Sequence, residues 1–252
     1  MRIARGALLA GCVGMLGWGT MSYAAETGTI SGQIVLDGDV PEMPPLVKKG
    51  DATAKDPAVC AAADVPDDAL VVNPKNKGIA NVFVFLGKAP KDMPAALKKS
   101  KDKEVVFDQK GCRFLPHALM VRTDQTVLVK SSDSVSHNTH TFPLRNSATN
   151  TTINPNDQTG VPFKMPSMER VPVQVKCDIH PWMKAYWLVL DHPYGAVTDE
   201  DGKFKIEGLP EGKHEFMIWQ EKPGFINRKY EVTVKAGDNE LEPVKVPVSK
   251  LK

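Results

Sequence analysis

A basic surplus is the first thing this chain lacks. Across 252 residues, 32 Lys and Arg stand against 30 Asp and Glu. Setting aside Arg2 and Arg5, which precede the apolar N-terminal run, leaves 30 against 30. A nucleic-acid surface shows as clustered positive charge, so no such partner is expected. Cysteine is scarce, at four residues, and no Cys-x-x-Cys-His run occurs, so no haem is attached through that motif. Beyond the N-terminal segment no apolar stretch is long enough to cross a membrane as a helix. No Ser/His/Asp ordering and no carboxylate pair stands out, and catalysis is not expected.

The N-terminus reads as an export signal over residues 1–24. Arg2 and Arg5 form a short basic start, "GALLAGCVGMLGWGTM" is apolar or small throughout, and "SYAA" offers small residues for cleavage. "LAGC", ending at Cys12, is a second reading as a lipid-attachment site, but the apolar run continues well past that cysteine. A periplasmic or secreted location is therefore expected. Cys12 leaves with the signal, so Cys60, Cys112 and Cys177 remain. An odd count in an oxidising compartment means two can pair and one has another job.

The mature chain reads as β throughout. "TISGQIVL", "IANVFVFL", "HALMVRTDQTVLVKSSD", "VPVQVKC", "KAYWLVLD" and "KYEVTVKAG" are short β-rich runs. Asp201–Gly202 and the Pro210–Gly212 stretch are turn signals. Prolines sit at strand ends, where a missing N–H does least harm. One short helix is expected over Pro94–Lys101. Loops are expected over Asp51–Lys77 and Ser147–Pro166. An all-β sandwich architecture follows.

The chemistry concentrates in "VPVQVKCDIHPWMKAYWLVLD", Val171 to Asp191. Between two β-rich runs lie Cys177, His180 and Met183, within seven residues. Only a tight loop could aim all three at one point. Thiolate, imidazole and thioether form a soft to intermediate donor set, and one more imidazole makes the His₂Cys set with weak Met that copper favours. Zinc wants four strong ligands and rarely takes methionine. The extra imidazole is available at His137, in "TVLVKSSDSVSHNTH", with His140 three residues on.

His137-Asn138 followed by Cys-x-x-His-x-x-Met resembles the cupredoxins, the type 1 blue copper proteins, and within them the amicyanin/plastocyanin-like members. The resemblance covers roughly 105–191. It implies a Greek-key β-sandwich, with His137, Cys177 and His180 as trigonal ligands to one copper ion and Met183 as the weak axial one. It also implies that Asn138 ties its loop to the residues around Cys177. Each residue has a plainer alternative: His137 a surface histidine, Met183 core filler, Cys177 half of a disulfide. Cys60 and Cys112 are the more natural pair, leaving Cys177 free. His140 is expected to be structural, since on a strand it faces away from His137. Cys112 and His117 could form a second metal pair, but a structural role for His117 is the better reading.

"AVTDEDGKFKIEGLPEGKHEFMIW" resembles the second half of a carboxypeptidase-regulatory or transthyretin-like sandwich, and "SGQIVLDG" with "IANVFVFL" resembles the first half. The expected organisation is residues 27–101 and 192–252 as the two parts of that sandwich, with the copper domain inserted in it or packed against it. A serial order is the alternative. Trp219 is expected in the core of this sandwich, whose favoured role is to scaffold the copper domain, with a docking or polysaccharide-binding module as the alternative.

Three functions fit this reading. The first is an exported one-electron carrier, serving a dehydrogenase, cytochrome or oxidase that docks near His180, where relatives expose that histidine through an apolar patch. The second is a copper storage or delivery protein without a redox partner, using the same ligands. The third, an enzyme, is disfavoured. No His-x-His pairs of a multicopper oxidase occur, and a binuclear purple site would need a second cysteine in the Cys177 loop.

Overall fold

The structure is a computed structural model, which describes residues 26–251. The expected export signal, residues 1–24, and Cys12 with it lie outside the described residues. No helix among those described is long and apolar enough to cross a membrane.

The regular structure of the described residues is almost entirely strand. In chain order the strands are β1 Thr27–Asp37, β2 Phe83–Leu86, β3 Glu104–Gln109, β4 Phe114–Leu115, β5 Ala118–Arg122 and β6 Thr126–Ser131. Then come β7 His137–Phe142, β8 Asn150–Ile153, β9 Val161–Lys164, β10 Val173–Lys176 and β11 Lys184–Leu190. The last are β12 Gly195–Val197, β13 Lys203–Pro210, β14 Gly212–Gln220, β15 Gly224–Val234, β16 Gly237–Glu240 and β17 Val244–Pro247. The expected all-β sandwich class is what the chain forms.

Four sheets arise from these strands. Two are built wholly from residues 104–190, in the orders β5-β11-β10-β7-β8 and β4-β3-β6-β9. Their inner faces share one core, in which Trp187 makes edge contacts with Phe107 at 5.0 Å and Phe163 at 5.9 Å between ring centroids. Such alternating inward residues are what a sandwich requires. The other two sheets join both ends of the chain. β1 pairs antiparallel with β13 and parallel with β16 and β17, while β2 lies between β12 and β14. Phe85 of β2 is opposite Gly195 of β12, so the chain leaves and re-enters this pair of sheets on neighbouring strands. Gly202 has φ of 74° in the turn before β13, and a Cβ there would strike the Ile34 carbonyl; glycine is the residue that fits.

A shared apolar cluster joins the two sets of sheets: Phe83 and Phe85 pack with Ala118, Leu188, Leu190 and Trp219. Trp219 is buried and touches Phe83 and Tyr186, so it is a core residue.

Three local expectations need correction. Pro94–Lys101 is not a helix but carries a single 3₁₀ turn, Ala95–Leu97, because its lysines leave no continuous apolar stripe to bury. Asp51–Lys77 is not all loop: Pro57–Cys60 forms one α-turn, entered from Asp56 with φ of 52°. Ser147–Pro166 contains two strands, β8 and β9, whose polar sequences hide them because only Ile153 and Phe163 turn fully inward.

Candidate metal centre

The site grows from a hairpin. β10 and β11 pair up to Lys176 opposite Lys184, and the seven residues Cys177–Met183 form the connection. The Cys177 amide donates to the Met183 carbonyl at 3.2 Å, and the Met183 amide donates to the His180 carbonyl at 2.9 Å. These bonds hold the two sulfur residues at adjacent ends of a closed loop, and both are buried in the same cluster. β7 is the neighbour of β10, with His140 opposite Lys176, and its first residue, His137, arrives beside the loop.

Three of the predicted residues thereby meet. One ligand atom each from His137, Cys177 and His180 lies within 4.8 Å of the others, with all three residues buried. The two Nδ1 atoms are 3.0 Å apart, and Cys177 Sγ is 3.8 Å from His180 Nδ1. Met183 sits in the same buried loop, 2 % exposed. The sulfur of Cys177 receives backbone N–H groups from Asn138 at 3.5 Å and His180 at 3.4 Å. Asn138 spans strand and loop: its Oδ1 accepts from the amides of Asp178 at 2.7 Å and Ile179 at 3.3 Å, and its Nδ2 donates to Asn150 and Asp178. His140 points the other way, onto Asp178 at 3.1 Å, as its parity on β7 requires.

Two carboxylates complete the site, and sequence reasoning missed both. His137 Nε2 is 2.9 Å from Asp133 Oδ2, and His180 Nε2 is 3.0 Å from Asp56 Oδ2. A histidine whose Nε2–H is held by a carboxylate turns its Nδ1 lone pair outward, the usual way a metal-binding imidazole is oriented. Asp133 also accepts the amides of Gly111 and Cys112, at 2.6 and 2.8 Å. Asp133 looks in sequence like any turn aspartate in "SSDS". Asp56 is 124 residues from its partner, and nothing local marks it.

The electrostatics favour an ionised site. Burial opposes charge on His137, but Asp133 and the Cys177 sulfur outweigh it and push the imidazole up to about 9. Burial likewise raises the Cys177 thiol, yet the two histidines and the two backbone N–H groups pull it down to about 6. Burial raises Asp133 too, and its bonds to His137 and the two amides carry it below the usual carboxylate range. Once His137 yields its extra proton to an incoming ion, a thiolate and two oriented imidazoles, with Met183 in the same loop, are a donor set that fits copper.

The His180 edge departs from expectation. His180 is 0 % exposed, whereas an exposed edge flanked by apolar residues is expected there. Asp56 and the Pro57–Cys60 turn cover it, and Val47, Ala61 and Val65 pack on Trp182. Cys60 is disulfide-bonded to Cys112, which fastens this cap to the turn that also feeds Asp133. Cys177 is free and buried. With Cys112 in a disulfide, Cys112 and His117 are not a metal pair. His117 instead meets Glu221 at 3.0 Å, in a contact joined by Lys184 at 3.2 Å. Beside these residues lies a cavity of about 410 Å³, whose walls include Cys112, Arg113, Trp182 and Met183.

No protein-family model and no curated protein matches the chain. Solved structures do resemble part of it. A copper-containing nitrite reductase from Thermus scotoductus SA-01 is 18 % identical with a TM-score of 0.31, over 34 % of this chain and 22 % of that one. The chain therefore spans under a quarter of that reductase. A reduced amicyanin mutant is 18 % identical with a TM-score of 0.31, over 36 % of this chain and 86 % of that one. A purple cupredoxin from Nitrosopumilus maritimus is 18 % identical with a TM-score of 0.29, over 35 % and 99 %.

Proposed function

We propose that this is an exported type 1 copper protein that carries single electrons between redox partners. The observation supporting it is the convergence of His137, Cys177 and His180, each buried and each imidazole braced through Nε2 by a carboxylate. His137 and His180 would bind through Nδ1, Cys177 as thiolate, and Met183 as the weak fourth ligand. Copper held there supplies a one-electron couple.

The chain's own residues supply rigidity. Asn138 pins the loop to β7, Asp133 and Asp56 fix both rings, and the two N–H groups on Cys177 favour its thiolate. A site held this firmly changes little on gaining an electron, which suits transfer. We read residues 105–191 as the copper domain, inserted into a small sandwich made by 27–101 and 192–252. The partner is a redox protein, and it approaches the Pro181–Trp182 side of the loop. Pro181 is exposed there, and the Trp182 ring lies 5.3 Å from that of His180.

The test is to add Cu(II) to the purified protein and record visible and EPR spectra. An intense blue thiolate charge-transfer band with narrow copper hyperfine splitting is expected. A colourless protein that prefers zinc would overturn the reading.

A further inference from the structure

A second soft-metal donor set lies against the first. Ligand atoms of Cys60, Cys112 and His180 fall within 4.8 Å of one another, and all three residues are buried. In the oxidised chain the two sulfurs are bonded to each other and offer nothing to a metal. Reduced, they become two thiols beside an imidazole, a donor set that selects Cu(I). We propose that the dithiol form of the chain binds one Cu(I) ion through Cys60, Cys112 and His180.

Three observations carry this. The first is the convergence itself, which brings donors from two distant segments of the chain onto one histidine. The second is a route of entry, which a buried metal site needs: Cys112 lines the cavity of about 410 Å³, together with Trp182 and Met183. Cys112 itself is buried, so a local opening of that one wall, rather than of the core, is what an ion or a reductant needs. The third is the tethering of the donors. Asp56 fixes the His180 ring from the segment bearing Cys60, and Asp133 holds the Cys112 amide. Breaking the S–S bond leaves both contacts in place, so the thiols stay near the ring.

His180 is common to this set and to the set containing Cys177. One imidazole presents one lone pair while its other nitrogen keeps a proton, so the two sets compete for it. The state of the disulfide therefore decides which sulfurs His180 serves. That competition rests on the type 1 reading above, but binding at the dithiol does not.

The experiment uses the full mature chain carrying Cys177→Ala, which removes the first set. A water-soluble phosphine reduces the disulfide: one water supplies the oxygen of the phosphine oxide, and its two protons go to the two thiols. The phosphine-reduced and oxidised proteins are then each given one equivalent of Cu(I) without oxygen and challenged with bicinchoninate. The reduced protein is expected to keep its copper while the oxidised protein yields it. Cys60→Ser added to Cys177→Ala should make the reduced protein yield it too.

Equal loss from reduced and oxidised protein would overturn the proposal. So would full retention after His180→Ala is added, because the ion would then be held by two cysteines of a loosened loop. Near-UV circular dichroism of the reduced protein guards against that case, since a native spectrum is expected. The blue colour of oxidised wild-type protein with Cu(II) tests the type 1 reading separately, so the two ideas fail independently.

Discussion

The Oδ2 atom of Asp56 lies 3.0 Å from Nε2 of His180, although 124 residues separate them. A segment outside the residues 104–190 that build the two surrounding sheets thus orients one of the candidate metal ligands. The amide in Asp56→Asn keeps the shape but loses the charge that holds the Nε2 proton. Outer partners of this kind cost roughly 10- to 100-fold in metal affinity when lost. Copper affinity of Asp56→Asn, measured by chelator competition, is expected to fall within that range with the fold intact.

Asp133 acts on the other ring, and its effect can be read without metal. In the apo protein Cys177 should ionise with a midpoint near 6, followed by thiolate absorbance in the ultraviolet. In protein lacking residues 1–24 the signal belongs to Cys177, since Cys60 and Cys112 are paired. Asp133→Asn removes the carboxylate that raises His137. A less cationic His137 stabilises the thiolate less, so the Cys177 midpoint should move upward. A midpoint that stays put would show that His137 does not carry the effect.

Asn138→Ala removes one acceptor shared by two loop amides and one donor shared by Asn150 and Asp178. Leaving buried partners unsatisfied costs about 1–3 kcal/mol. Chemical denaturation of the apo variant should show a loss of that size.

The Cys60–Cys112 bond closes a loop of sequence separation 52. Loop-closure entropy then gives about 4 kcal/mol of stabilisation. Replacing both cysteines with serine should lower unfolding stability by roughly that amount.

Strand pairing also makes a prediction for truncation. β1 supplies partners to β13, β16 and β17, and β2 supplies partners to β12 and β14. Deleting residues 1–101 should therefore unfold Ala196–Lys252. A dispersed amide spectrum from that C-terminal segment alone would contradict the inserted arrangement proposed above.

The strands and the cluster around Cys177 were legible because they are local. Alternation marks β6, β10 and β13, and three donors in one heptapeptide mark the loop. His137 was reachable because its strand end carries a familiar pattern. Asp56 and the cap were not, since a lone aspartate before a proline says nothing about an imidazole 124 residues away. The burial of His180 was missed for the same reason: exposure depends on what another segment does. β8 and β9 were hidden because edge strands with one buried residue each lack the hydrophobic alternation that reveals a strand.

Phe85 and Gly195 face each other across two neighbouring strands, and under the proposed function that pairing bears on encounter with a redox partner. A carrier hung on one flexible linker can turn any face toward its docking site. Here the residues between Leu86 and Gly195 are anchored at both ends, and Phe83, Leu188 and Trp219 wedge the junction. The bearing of the Cys177 loop is thereby set by the sheets that hold the chain ends. Under the proposed carrier function, surfaces far from the candidate ligands, on β13 or β15, can then govern how often a productive collision occurs without altering the ligand set itself.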